Sequence, residues 1–564
     1  MSLLFITWLS ALAATLAELS RSFAPSVETD LGTIIGEFVN FTGGHGARLF
    51  RGVPFAQPPI GALRWQPPVA PSPFTAPFHA TRWAPSCPNA LNIASPFCHT
   101  CSTRNNAPLM PNSEDCLYLN ILTPSIVQQK LPVMVFIHGG NGWMGAAPIY
   151  SNSSALIDEG IVLVTLQYRL GLLGWLPHHL LSKEQGGVSG NYGFQDVVSA
   201  LAWVQKHIHA FGGDASSVTV FGQSFGGSLV NYLLISPSAQ GQFHSAIVQS
   251  GNLDFDNLTA QTAAEADVGV QAFMALGCTD LECAREKSWQ QIIDLKQPSG
   301  KWALPVLNSK AANATFPLPP YEALRRGRVN PVPVIFGYNA MEGHLDDYFT
   351  GNSYTSFVSH YDNHTVQTVV EQVLELTSKP PRSSNETASA AAQLLGDSFY
   401  PTHDFSTGYN RLGAILSDAM TGFAAWFWAL AWSMHAPAYL YVLNAQAAGC
   451  VTMAPFGPMH LLELTFLLGD AYIIDRRGCT FDSEEIAVGD QLRKWWARFA
   501  DRGYPGDGWT PFSKTNSKAM VIHTNGSGQM VHHWHGDVIL GFQARWQGYQ
   551  QFHTQDPAEI VLFL

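Results

Sequence analysis

The residues most able to do chemistry stand in the pentapeptide GQSFG, at positions 222–226. A β-branched and aromatic run, 218–221, precedes it, and an apolar segment able to begin a helix, 229–235, follows it. In this context Gly-x-Ser-x-Gly predicts a tight strand-to-helix turn that pushes the hydroxyl of Ser224 outward as a nucleophile. A chain with 49 glycines also produces such a pentapeptide by chance, as an ordinary Gly-Ser turn. The neighbouring segments therefore have to decide between a catalytic turn and an ordinary Gly-Ser turn.

Apolar strands and amphipathic helices alternate around the pentapeptide. The runs 133–137 and 161–166 show no polar alternation, which is typical of strands covered by helices on both faces. An amphipathic helix is predicted at 197–208, before the strand that leads to Ser224. This order predicts an α/β fold with a doubly wound sheet, which must bring a base, an acid and oxyanion donors to the serine.

The composition favours one large core. The chain is 46% hydrophobic and 13% charged, and it has no long charge run, no Ser/Gly tract and no internal repeat. The formal net charge of −12 argues against nucleic acid as a partner and is compatible with an extracellular protein.

The N-terminus carries an apolar run, 3–17, that ends in small residues and is too short for a comfortable membrane span. It lacks a basic start, and a buried helix is the alternative, but we predict a signal peptide at 1–20 and one domain at 21–564. Glycosylation sequons agree with secretion and stand at Asn40, Asn152, Asn257, Asn313, Asn363, Asn385 and Asn525. No transmembrane anchor is expected.

Several motifs in order carry a family resemblance: FRGVPFAQPPIGALRW at 50–65, EDCLYLNI at 114–121, FIHGG at 136–140, the long segment 190–227 that ends in FGQSFGG, and GYNAMEG at 337–343. The sequence resembles the type-B carboxylesterase family, the cholinesterase-like α/β-hydrolases, from about residue 27 to about residue 469. The resemblance implies an α/β-hydrolase fold, in which one domain holds a large central, mostly parallel sheet flanked by helices. It also implies a carboxylic ester hydrolase.

The resemblance assigns a catalytic triad in the chain order that this fold uses. Ser224 is the nucleophile, Glu342 lies where the family places the acid, and His460 matches the family's His-x-x-Glu pattern. On bare chemistry Asp346 and Asp347 are rivals for the acid. We expect no cofactor and no metal, because this chemistry needs neither. The cluster formed by His532, His533 and His535 is better explained by a surface strand.

The expected oxyanion donors are the main-chain amides of Gly140, Asn141 and Phe225. Two of these positions depart from the family, which usually has a third glycine at 141 and Glu-Ser-Ala at 223–225. Asparagine tolerates positive φ better than other non-glycine residues, so the turn can survive. The ring of Phe225 must be housed near the pocket. Both departures bear on substrate range more than on reaction class.

Eight cysteines, an even number, are read as disulfides of a secreted protein. The resemblance implies the pairs Cys87–Cys116 and Cys278–Cys283, whereas the pairing of Cys98, Cys101, Cys450 and Cys479 stays open. It also implies two buried ion pairs, Arg64–Glu114 and Arg169–Asp196, and a structural hydrogen-bonding pair at Ser417 and Asp418.

The segment 87–116 contains no Trp or Tyr to receive a quaternary ammonium group by cation–π attraction, which disfavours choline esters. We predict a secreted esterase for small-molecule apolar or aromatic esters that works through an acyl-enzyme. An acyltransferase with the same triad, or less readily a non-catalytic binding module, remains as an alternative. The aromatic segment 424–432 is either a pocket wall or packed core, and the oligomeric state is left open.

Overall fold

The computed structural model describes residues 24–40, 46–89, 111–150, 154–251, 258–295, 305–308, 314–344, 408–450, 454–469 and 480–532. The predicted signal peptide, Cys98, Cys101, Cys479, Asp346, Asp347, His533 and His535 lie outside these ranges, as do the sequons other than Asn40 and Asn525.

An eleven-stranded sheet forms the centre of the described structure. The strands, in chain order, are β1 (Ser26–Thr29), β2 (Gly32–Ile35), β3 (Glu37–Asn40), β4 (Gly46–Pro54), β5 (Phe78–His79), β6 (Tyr118–Pro124), β7 (Leu131–Ile137), β8 (Val162–Leu166), β9 (Gly213–Gln223), β10 (Ser245–Gln249), β11 (Thr259–Ala260), β12 (Val306–Leu307), β13 (Val334–Asn339), β14 (Ala438–Leu443), β15 (Lys518–Ile522) and β16 (Gly528–His532). The large sheet has the order β16-β15-β14-β13-β10-β9-β7-β8-β6-β4-β3.

The middle of this sheet is parallel and its edges are antiparallel. Strands β8, β7, β9, β10, β13, β14 and β15 pair in parallel, whereas β3, β4, β6 and β16 join antiparallel. In a parallel sheet the carboxyl ends of neighbouring strands meet at one edge, where a site can collect residues from several strands. The predicted mostly parallel α/β sheet is confirmed.

Helices cover both faces. The described helices are α1 (Ser154–Ile157), α2 (Gly171–Trp175), α3 (His179–Glu184), α4 (Tyr192–His207), α5 (Phe225–Ile235), α6 (Gln261–Ala264), α7 (Val270–Leu276), α8 (Leu281–Glu286), α9 (Trp289–Ile293), α10 (Pro320–Arg325), α11 (Gly408–Ser417), α12 (Phe423–Trp432), α13 (Leu462–Leu468) and α14 (Ser483–Arg502). Among them, none is long and apolar enough to cross a membrane.

Strand β7 shows how the sequence divides the core. Val133, Val135 and Ile137 belong to one apolar cluster, which also takes residues of α4, α5 and α12. Met134 and Phe136 belong to a second cluster, which takes residues of α1, α13 and α14. Side chains along a strand alternate between faces, so a continuous apolar run is what a doubly covered strand requires.

The aromatic segment 424–432 corresponds to α12, and its tryptophans are core. Trp428 and Trp432 are fully buried, and Trp428 stacks over Phe336 of β13. The Nε1 of Trp432 donates to the carbonyl of Val332 at 2.9 Å. The packed-core interpretation of these tryptophans is therefore the correct one.

The framework around the sheet is cross-linked. Disulfides join Cys87 to Cys116 and Cys278 to Cys283, and Cys450 is also disulfide-bonded. Two buried ion pairs are bidentate. Arg64 donates to Glu114 at 2.7 and 2.5 Å, and Arg169 donates to Asp196 at 2.7 Å through each of two nitrogens. Removing one member of such a pair typically costs about 3–5 kcal/mol.

The buried ion pair implied for Arg64 is confirmed, and its neighbour Trp65 is buried as well, since the Nε1 of Trp65 donates to the carbonyl of Leu172 at 2.9 Å. One local prediction was inexact. The helix expected at 197–208 begins earlier, at Tyr192, since Tyr192 and Phe194 are apolar residues that the core also buries.

Candidate active site

The site is organised by the turn between β9 and α5. Ser224 has φ 59° and ψ −128°, a strained conformation for a residue with a side chain. The flanking glycines are required by close packing. A Cβ on Gly222 would lie 2.4 Å from the oxygen of Gly226, and a Cβ on Gly226 would lie 2.0 Å from the oxygen of Ile137. The pentapeptide therefore forms the strand–turn–helix elbow that its context predicts.

The hydroxyl of Ser224 is available for reaction. The residue is half-buried, its N–H donates to the carbonyl of Gln249 at 2.9 Å, and its hydroxyl bonds to none of the other described residues. Catalytic hydrogen bonds are often long or absent in proteins without substrate and tighten when substrate binds.

Glu342 follows the carboxyl end of β13, two strands from the nucleophile. Its Oε1 accepts hydrogen bonds from the hydroxyl of Ser250 and, at 2.7 Å, from the N–H of Asn339. The side chain is almost fully buried, with 5% exposure of the residue. Because both donors bond to Oε1, the second carboxylate oxygen is left for another partner.

That second oxygen, Oε2, contacts Nδ1 of His460. His460 lies in the turn before α13 and is 6% exposed. Two further hydrogen bonds join the loop of Glu342 to that of His460. The N–H of Met341 donates to the carbonyl of Pro458 and the Nδ2 of Asn339 donates to the carbonyl of Met459, both at 2.9 Å. The next residue, Leu461, has φ 77° and caps the start of α13 in a left-handed conformation.

The charges around His460 favour its protonated form. Burial alone would lower the pKa of His460, but the attraction of Glu342, its hydrogen bond and the charge of Glu463 together raise the pKa above 6.5. Burial, followed by repulsion from Glu342, raises the pKa of Glu463 to about 7. The two carboxyl groups thus differ in role, because Glu342 contacts the imidazole while Glu463 accepts from Asn339 behind it.

The glycine-rich turn after β7 lies against the elbow. A Cβ on Gly139 would come within 2.9 Å of the Ser224 Cβ. Gly140 has φ 108° and Asn141 has φ 56°, and Asn141 is exposed. In the described part of the chain, neither of their N–H groups donates to another residue. The N–H of Phe225 is the first of α5 and has no intrahelical acceptor. These three amides are oriented by backbone rather than by side chains.

The ring of Phe225 is housed against α2. It meets Trp175 edge to face, with ring centroids 5.6 Å apart. The Nε1 of Trp175 donates at 3.0 Å to the carbonyl of Gly142, which also accepts from the N–H of Gly171 at 2.8 Å. The indole of Trp175 therefore links Phe225, which departs from the resembled family, to the turn that contains Asn141.

His138 supports the same turn from inside. Its ring stacks on Tyr168 with centroids 4.4 Å apart, and its Nδ1 lies 2.8 Å from the carbonyl of Gly139. Burial lowers the pKa of His138 to about 4, so this histidine stays neutral and structural.

Some contributors were missed by the sequence analysis. Ser250, at the carboxyl end of β10, holds Glu342, and Gln223 places its Nε2 3.1 Å from the Nε2 of His460. A polar Gln-Ser pair directly after an apolar strand was the signal for Ser250.

Ser417 and Asp418 were expected behind the site. Ser417 accepts a hydrogen bond from the N–H of Gly343 at 3.1 Å, and Asp418 accepts one from the hydroxyl of Tyr338 at 3.2 Å.

Other candidate groups lie away from this site. His532 is exposed at the end of β16, in agreement with a surface strand. Across the described ranges, no three or more His, Cys, Asp or Glu side chains are arranged to hold a metal ion.

The chain is similar to known proteins over most of its length. A carboxylesterase family model matches residues 24–536. Pyrethroid hydrolase Ces2e of Rattus norvegicus is 31% identical over 501 residues, 87% of this chain and 84% of its own length. Cocaine esterase of Homo sapiens is 32% identical over 520 residues, 89% of this chain and 88% of its own length. The solved structure of a PNB esterase has a TM-score of 0.72 at 24% identity, over 92% of this chain and 99% of that one, and shows the same fold.

Proposed function

Because this chain belongs to the carboxylesterase family and is a carboxylic ester hydrolase, we propose that it cleaves esters with a triad of Ser224, His460 and Glu342. The observation that carries the proposal is the buried contact between Glu342 and Nδ1 of His460, beside an elbow that presents the half-buried Ser224. Glu342 holds the imidazole in the tautomer whose Nε2 lone pair can accept the serine proton.

The reaction then proceeds in two acyl transfers. The Oγ of Ser224 attacks the ester carbonyl as its proton passes to Nε2 of His460. The oxyanion of the tetrahedral intermediate accepts hydrogen bonds from the N–H groups of Gly140, Asn141 and Phe225. Collapse expels the alcohol, which takes the proton from His460. Water attacks the acyl-enzyme by the same route and frees Ser224.

The proposed substrates are apolar or aromatic esters. Phe225 adjoins the nucleophile, Trp143 and Met144 follow the glycine-rich turn, and Gln223 is uncharged. None of these side chains is a carboxylate that would attract a cationic alcohol group. The carboxylates near this site serve His460. The name of one relative assigns pyrethroid hydrolysis to that protein, and pyrethroids are neutral, apolar esters, in keeping with this choice.

We further propose secretion after removal of residues 1–20. The disulfides support an oxidising compartment, and both described sequons, Asn40 and Asn525, are exposed. Expression in a secreting eukaryotic cell should place the protein in the medium, with a mass that falls on treatment with an N-glycosidase. Retention inside the cell at the unglycosylated mass would contradict secretion.

The test of the substrate class is a series of nitrophenyl esters of increasing acyl length, with matched anionic and cationic esters. The kcat/KM should rise with apolar acyl length and be lowest for the cationic esters. A preference for the cationic esters would contradict the proposal. The same assay with added alcohol separates the alternatives, because an acyltransferase would form the new ester in excess over the free acid.

A further inference from the structure

Gln223, the residue before the nucleophile, has a side chain that reaches the base. Its Nε2 lies 3.1 Å from Nε2 of His460, and the residue is 1% exposed. The amide oxygen of Gln223 is buried and has no hydrogen-bond partner in the described structure. A buried amide oxygen without a partner is costly, so its presence beside a catalytic group calls for a physical reason.

The reason lies in the two protonation states of the imidazole. Nδ1 bonds to Glu342, so in the neutral ring Nε2 carries a lone pair and accepts. The NH₂ end of a carboxamide can donate to that lone pair. Once Nε2 is protonated it becomes a donor, and the group facing it has to accept. A carboxamide meets this demand by rotating its free oxygen into place.

We propose that Gln223 is a positioning residue that holds His460 whenever Nε2 is not engaged by Ser224 or the alcohol, donating to the neutral ring and accepting from the imidazolium. This inference rests on the proposed triad. A glutamate at 223, the residue that the resembled family usually has, would accept but not donate when ionised. Held at this distance it would favour the imidazolium and delay release of the proton.

The charged and titratable groups around the base make the position sensitive. Glu342 faces His460 from the end of β13, and Glu463 faces it from α13. Tyr441 of β14 is fully buried beside both carboxyl groups, and burial raises its pKa well above 10, so it stays neutral. A carboxylate at 223 would be the third at this site, whereas Gln223 adds a hydrogen-bonding group with no charge.

The test is the pH dependence of kcat/KM for a neutral nitrophenyl ester in wild type, Gln223→Glu and Gln223→Met. An opposite charge within hydrogen-bond distance raises a histidine pKa by about 1–3 units, so Gln223→Glu should move the acid limb upward by at least about one unit. Gln223→Met removes the acceptor for the imidazolium and should move the limb downward, by less than about one unit. Opposite shifts are a result that loss of packing alone does not produce.

Gln249→Glu is the matched control, because Gln249 is the register partner of Gln223 on β10 and its side chain forms no hydrogen bond with His460 in the described structure. It should shift the limb by less than half as much as Gln223→Glu. An equal shift would show that charge alone acts and would overturn the proposal. A Gln223→Glu variant whose acid-limb pKa lies within about 0.3 unit of that of wild type would also overturn the proposal.

Rates should be normalised to the fraction of Ser224 that reacts with an organophosphonate, so that misfolded protein is not counted. If Gln223→Glu fails to fold, Gln223→Met decides, and an unchanged or raised limb overturns the proposal. Failure of the triad itself is distinguishable, because Ser224→Ala would then retain activity. Loss of activity in Ser224→Ala with an unshifted Gln223→Glu limb overturns the role of Gln223 alone.

Discussion

The two halves of the candidate site are built in different ways. The base half, formed by Glu342, His460 and the groups that contact them, is a set of buried side chains joined by hydrogen bonds. The oxyanion half, formed by residues 139–142 and Phe225, offers backbone N–H groups held by positive φ angles and aromatic packing. The base half thus depends on chemical identity, and the oxyanion half on shape.

This difference predicts how each half responds to substitution. A polar side chain replaced in the base half loses a function that no neighbour supplies, because partners such as His460 and Glu342 are dedicated to each other. A side chain replaced in the oxyanion half leaves its own N–H in place. The activity lost on such a substitution depends on whether the new residue can adopt the backbone angles of the turn.

The largest effect is expected in the base half. Glu342→Gln should lower kcat about 10⁴-fold, since an amide in place of the carboxylate stabilises the wrong tautomer of His460. Glu463→Gln is the matched control, because Glu463 bonds to Asn339 rather than to the imidazole. Its kcat should stay within about tenfold of wild type. Equal losses in the two variants would contradict the division between them.

A backbone substitution in the oxyanion half comes next. Asn141→Val should lower kcat about 10²- to 10³-fold, because a β-branched residue resists the φ of 56° and displaces a donor. Asn141→Gly keeps the donor and should stay within about tenfold while accepting bulkier esters. Steady-state kinetics with a small and a bulky ester decide this. Near-complete loss of activity in Asn141→Gly would mean that the side chain itself takes part.

The packing of the oxyanion half should give a smaller and coupled effect. Phe225→Ala and Trp175→Phe should each lower kcat about three- to thirtyfold, because the indole that Phe225 contacts also holds Gly142. The double variant should show a coupling of about 0.5–1.5 kcal/mol. Additive losses would show that the two rings act independently of each other.

A substitution remote from both halves sets the baseline. Replacing Cys278 and Cys283 by serine should lower the free energy of unfolding by about 2 kcal/mol, because the bond closes a short loop. The kcat should remain within about twofold of wild type, since Cys278 packs in a different apolar cluster from Phe225 of the oxyanion half. Denaturant unfolding under non-reducing conditions measures the first quantity. A tenfold loss of kcat would show that the halves depend on distant framework.

The sequence was most informative where a motif needs a particular residue type. The Gly-x-Ser-x-Gly pattern predicted the elbow because Cβ atoms at Gly222 and Gly226 would collide with backbone. Runs such as 133–137 predicted buried strands. The contacts of Gln223 with His460 and of Trp175 with Gly142 could not be predicted, because they join residues far apart in the chain with no local pattern.

The most direct test of the triad is stoichiometric labelling by an organophosphonate, followed by peptide mapping of wild type, Ser224→Ala and His460→Ala. We expect one label per wild-type chain, on Ser224, and none on Ser224→Ala, whose kcat should fall at least about 10⁴-fold. His460→Ala should label far more slowly than wild type while keeping its folded circular dichroism spectrum. A label on another residue, or a Ser224→Ala variant that still hydrolyses esters at the wild-type rate, would contradict the account.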